Sequence, residues 1–125
     1  MRRSATTAYR TLALIFAACV VLQVFFAGLG IFGAESFKTH ETFGWILHTA
    51  TIVLLLLAIA GPRNRHDVGL AFGLLVLTTI QISLVGSRDD MPGLAALHPV
   101  LALGILGLAL YMGRGAVRKR LVFRP

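Results

Sequence analysis

Four stretches of about twenty mostly apolar residues, each closed by a short polar break, dominate this 125-residue chain. They run from about Thr11 to Phe32, Thr42 to Ala60, Val68 to Val85 and Leu94 to Met112. A helix needs about 20 such residues to cross the hydrocarbon of a bilayer. Inside lipid the backbone must satisfy its own hydrogen bonds, which favours helices over open strands. The chain is 57% hydrophobic and 14% charged, against roughly 45–50% apolar and 25% charged in soluble domains. Mean hydropathy is +0.82. These features predict an all-α integral membrane protein, one domain over residues 1–125.

The breaks have physical causes. Gly61-Pro62 closes the second run, because proline lacks an amide donor and restricts the residue before it. Arg63-Asn64-Arg65-His66-Asp67 reads as a polar turn, and Ser87 to Gly93 separates the third and fourth runs. Such short connections force neighbouring helices antiparallel, predicting an up-down four-helix bundle.

Charge placement sets a direction. Arg2, Arg3, Arg10, Arg63, Arg65, Arg114, Arg118, Lys119, Arg120 and Arg124 fall on one side of the four spans. Lys38 and Arg88 fall on the other, with Glu35, Glu41, Asp89 and Asp90. Positively charged ends stay in the cytoplasm, so the expectation is a multi-pass plasma-membrane protein with both termini cytoplasmic. A net charge of +7 is also a nucleic-acid footprint. Its position beside the spans assigns it instead to anionic lipid, at about 1 kcal/mol per residue near the surface, and no nucleic-acid partner is expected. A soluble partner for the basic tail 113–125 is the alternative. Trp45 and Tyr111 suit interfacial belts; Phe25, Phe26 and Phe72 face lipid or pack the core. No Asp or Glu lies within an expected span, which argues against a proton-coupled transporter. The one cysteine, Cys19, rules out an intramolecular disulfide and a thiolate metal cluster. Phe16-Ala17-Ala18-Cys19 has a faint lipobox character; the simpler role is a small packing residue.

Gln23, Gly28 and His40 are repeated 58 positions later as Gln81, Gly86 and His98. This predicts two tandem helical hairpins of one design, related by an axis along the membrane normal. His40 and His98 then open the second and fourth spans on the outer side. Those spans run parallel and lie diagonally opposed, so the two imidazoles meet at one depth. A flat tetrapyrrole with two axial ligands requires that arrangement, and bundle cores are common places to build it. The alternative is a pair of interfacial or structural histidines. His48 lies eight residues past His40, about 12 Å deeper and about 80° around the helix. The expectation is that His48, Gln23 and Gln81 satisfy one another in the core, a ligand role for His48 remaining open. His66 reads as a solvated turn residue. Pro99 either kinks the fourth helix and aims His98 inward, or marks a helix start, as Pro92 also would.

The stretch TTIQISLVGSRDDMPGLAALHPVLALGILGLAL resembles a hairpin of haem A synthase, through Gln81, Gly86, Pro92 and Ala96-Leu97-His98. The first hairpin is similar at Gln23, Gly28, His40 and Gly44. The resemblance spans about residues 20–112, nearly one four-helix half of that enzyme. The chain also resembles small four-helix membrane proteins of actinobacteria. The haem A synthase resemblance implies paired axial histidines at His40 and His98. Phe37 stands where the family has an acid, Glu41 where it has an arginine, and the outer-loop cysteines and second half are missing. Oxidation of a haem methyl group is therefore not implied; haem binding or electron transfer is.

The leading expectation is a protein that binds haem b between the second and fourth helices, with His40 and His98 as iron ligands, for electron transfer or haem handling. Gln23, Gln81 and His48 brace or tune the site, Gly28 and Gly86 allow close approach, and Lys38 and Arg88 meet propionates. No residue is assigned a catalytic role. The runner-up is a cofactor-free structural or accessory subunit, packed through Gly69, Gly73, Gly104 and Gly107. A redox partner, a membrane-complex partner or a homodimer fits either.

Overall fold

The apolar runs form four long helices in the computed structural model, which describes residues 2–61 and 65–122, with side chains over 4–61 and 65–114. The helices are α1 (Arg2–Ile31), α2 (Lys38–Ala60), α3 (Arg65–Gly86), a short α4 (Pro92–Ala95) and α5 (His98–Val122). No strand occurs among the described residues. α1, α2, α3 and the Pro92–Arg114 segment are each long and apolar enough to cross a membrane. Pro62, Arg63, Asn64 and Arg124 lie outside the described residues, as do the side chains of Arg2, Arg3, Arg118, Lys119 and Arg120.

Hydropathy marks where a helix is apolar, not where it ends, and α1 and α2 show the difference. α1 begins at Arg2 instead of near Thr11, because nothing between them breaks a helix. It closes in a Schellman arrangement: Gly33 takes a positive φ of 72°, Gly33 N–H donates to Gly30 O at 3.3 Å, and Ala34 N–H to Leu29 O at 2.9 Å. α2 ends as expected at Ala60, where Gly61 N–H still reaches Leu57 O at 3.0 Å. The fourth span is two pieces, interrupted at Ala96 and Leu97. Pro92 opens α4 and Pro99 stands second in α5. In a first turn the missing amide removes no bond, so Pro99 starts a helix and does not kink one.

The long helices pack in a closed ring. α1 and α3 each contact both α2 and α5, leaving α1–α3 and α2–α5 as the diagonals. Buried positions recur at the sequence interval of 58. Ala13 and Ala71, Phe16 and Leu74, and Val20 and Thr78 are buried on α1 and α3. Leu47 and Ile105, Thr51 and Ala109, and Leu54 and Met112 are buried on α2 and α5. Tyr9 Oη donates to the Asp67 carbonyl at 3.2 Å, joining the starts of α1 and α3 across the same interval. Cys19 is partly buried against this core, a packing residue. The outward face is also apolar: Val21, Phe25, Leu56, Phe72 and Leu103 are all exposed.

Packing within the chain does not run through the expected glycines. A Cβ at Gly69, Gly73, Gly104 or Gly107 would meet nothing within 4 Å. The close approach is at Gly113 instead, where a Cβ would collide with the Leu14 side chain.

Candidate functional site: a clamped histidine pair

His40 is the third residue of α2 and His98 the first of α5, so each ring projects from the start of a diagonal helix. Their centroids lie 6.1 Å apart with the planes at 62°. Both are half-buried.

Each ring is tied to a glutamine seventeen residues earlier by two reciprocal hydrogen bonds. Gln23 Nε2 donates to the His40 carbonyl at 2.7 Å, and His40 Nδ1 donates to the Gln23 carbonyl at 3.0 Å. Gln81 Nε2 donates to the His98 carbonyl at 2.8 Å, and His98 Nδ1 donates to the Gln81 carbonyl at 3.0 Å. The chemistry fixes these roles. A backbone carbonyl only accepts, so the ring nitrogen facing it must carry the hydrogen, and the glutamine must present its NH2 end. In a neutral imidazole, Nε2 then keeps its lone pair. Gln23 Oε1 and Gln81 Oε1 are both buried without a hydrogen-bond partner among the described residues.

Local packing explains part of the geometry. A Cβ at Gly30 would lie 2.8 Å from the Phe37 ring. Glycine there admits that ring, which packs edge-on to His40 at 6.5 Å. A Cβ at Gly44 would lie 3.0 Å from Gln23 Nε2, so this glycine clears the first clamp. By contrast Gly28 and Gly86 face open space, and a Cβ at either would meet nothing within 4 Å.

His48 stands outside this cluster and does not join the glutamines as expected. Its Nδ1 lies 3.2 Å from Thr78 Oγ1. The Thr78 hydroxyl is already spent on the Leu75 carbonyl at 2.9 Å, so His48 donates and Thr78 accepts. Thr51 Oγ1 donates to the His48 carbonyl at 2.6 Å, and the Trp45 ring packs edge-on to His48 at 6.0 Å. The result is a polar seam between α2 and α3. His66 is exposed and lies 3.7 Å from Asp67 Oδ1. Lys38 borders an open groove with Phe26 and Phe43 at the His40 end, and Arg88 faces Asp89 at 3.7 Å on the surface.

Residues 23–88 match a family of unknown function, DUF6220, over more than half of the chain. The chain belongs to the DUF6220 family. The DUF6220 match begins at Gln23 and takes in His40, His48 and Gln81, ending before His98. No curated protein and no solved structure matches the chain.

Among the described residues, no three His, Cys, Asp or Glu side chains gather as a metal site. The site brings together two imidazole rings, each with its Nδ1 tied to a carbonyl. The reciprocal form of the clamp was not readable from spacing. Phe37 and Thr78, which support His40 and His48, carry no signal in sequence beyond being one aromatic and one hydroxyl among many.

Proposed function

We propose that this DUF6220 protein is a multi-pass membrane protein that holds haem b between His40 and His98, for electron transfer or haem handling. Its four long helices span the bilayer as two tandem hairpins, with both termini in the cytoplasm. Three observations support the membrane arrangement: the apolar outward face, burial that recurs at an interval of 58, and basic residues gathered beyond one end of the spans.

The observation that carries the haem reading is the histidine pair itself. Two imidazole nitrogens at about 2.0–2.1 Å from one shared metal ion put their ring centroids roughly 6 Å apart, and the separation here is 6.1 Å. Each Nδ1–H is bonded to a carbonyl, a partner that orients a ligating imidazole and raises its basicity. The donors are uncharged. A bare divalent ion among them would be an uncompensated charge in a medium where that is expensive. The iron of a tetrapyrrole arrives with its charge already offset by the macrocycle. The resemblance of Gln81 to His98 to a haem A synthase hairpin agrees. Haem, when bound, supplies a one-electron couple. The chain's own residues orient two ligands, exclude water on the core side, and offer Lys38 and Arg88 as cations near the outer surface.

A cofactor-free accessory subunit is the second reading. It is favoured by the way each clamp satisfies polar groups of adjacent helices within the protein. The two separate in one preparation: the protein purified in detergent after haem-supplied expression, beside His40→Ala and His98→Ala. A b-type reduced-minus-oxidised spectrum that both variants lose supports haem. A well-folded wild type without a Soret band supports the accessory subunit.

A further inference from the structure

We propose that Gln23 and Gln81 are positioning residues that lock each imidazole in its Nδ1–H tautomer and so leave both Nε2 lone pairs free to take a ligand. The identity of that ligand rests on the haem reading; the lock does not.

Neutral histidine in water favours the opposite tautomer, with hydrogen on Nε2. At this site the preference is reversed twice, by the same device. The side-chain amide of each glutamine holds the histidine carbonyl at 2.7 or 2.8 Å. That bond fixes the height of one helix against its neighbour, and it brings the glutamine's own carbonyl to 3.0 Å from Nδ1. Without the side-chain donor the histidine carbonyl loses its partner, and the glutamine carbonyl is held less closely against the ring nitrogen. Glutamine suits the task because its amide donates on one side only. The oxygen of each amide is left buried and unpartnered, which is an unfavourable state for a polar atom. Leucine or methionine at either position would avoid that penalty, yet both copies carry glutamine. The amide is therefore retained for its donor, and the donor acts on histidine. The two locks use the same pair of hydrogen bonds, and the two rings they hold lie 6.1 Å apart, centroid to centroid. A haem, if bound, would be held by His40 and His98, and the lock would present each ring in the tautomer that a metal ligand needs.

The test is nitrogen-15 NMR of the imidazoles in haem-free full-length protein in detergent micelles. Wild type is expected to show protonated Nδ1 and unprotonated Nε2 at both His40 and His98. Gln23→Met and Gln81→Met keep the side-chain length and lose the donor. Each is expected to move its own histidine to a mixed or Nε2–H signal while leaving the other unchanged. After haem supply, each is expected to weaken haem retention at least tenfold with helical content preserved. Nε2–H signals, or doubly protonated rings, in wild type overturn the proposal. So do methionine variants with wild-type tautomers. If the methionine variants do not fold, Gln23→Asn and Gln81→Asn, which keep the amide but shorten its reach, carry the same expectation, and wild-type tautomers in them overturn the proposal. Locked tautomers in a protein that takes up no haem would leave the clamp standing and remove the haem reading alone.

Discussion

At Gly44 a Cβ would come within 3.0 Å of Gln23 Nε2, while the matching place beside the second clamp, four residues past His98, is Ala102. The second clamp forms with that methyl group present. Gly44→Ala is therefore expected to be mild: the gain in helix propensity, about 1 kcal/mol, offsets a small shift of the amide. Gly113 is different, because Leu14 already fills the space. Gly113→Ala is expected to destabilise by about 1–3 kcal/mol through overpacking. Unfolding titrations in mixed micelles compare the two. A large loss at Gly44 with none at Gly113 would mean that the α1–α2 and α1–α5 contacts are misassigned. At this scale the glutamine–histidine spacing was legible because it occurs twice. Phe37 over Gly30 was not, since a single aromatic in a turn has no periodicity to betray it.

Between elements, the side chains do not all repeat at the interval of 58, and one of the differences has an energetic consequence. The α2–α3 seam carries His48, Thr51 and Thr78; the matching positions on the α5–α1 seam are Leu106, Ala109 and Val20. One seam is polar and the other apolar, although the backbone design is shared. Hydrogen bonds between helices in membranes average about 0.6 kcal/mol and reach about 1.7 kcal/mol. A double-mutant cycle of His48→Ala and Thr78→Val is expected to show coupling in that range. The same cycle between His48 and Gln81 is expected to show none. Coupling to the glutamine and not the threonine would restore the core triad suggested by sequence alone. That triad missed because depth along a helix was legible from spacing, whereas the partner's rotation about its own axis was not. The helix starts were blurred for a related reason: α1 and α2 extend through polar residues that hydropathy reads as loop.

For the whole molecule, four helices long and apolar enough to cross a membrane were legible from run lengths, while the proposed cytoplasmic N-terminus rests on the side on which arginines gather. The ring of helices follows from short turns. Cysteine labelling in intact cells tests the orientation on a Cys19→Ser background: Ser36→Cys and Asp90→Cys are expected to react with an impermeant thiol reagent, and Ser4→Cys only after permeabilisation. The reverse pattern would place the histidine pair on the cytoplasmic side. The central claim is that one haem sits between the two histidines, and low-temperature electron paramagnetic resonance of the oxidised, haem-loaded protein tests it most directly. The expected result is a low-spin bis-imidazole signal at one haem per chain, converted to high spin by His40→Ala and by His98→Ala. A high-spin signal in wild type, or a low-spin signal that survives either substitution, would contradict it.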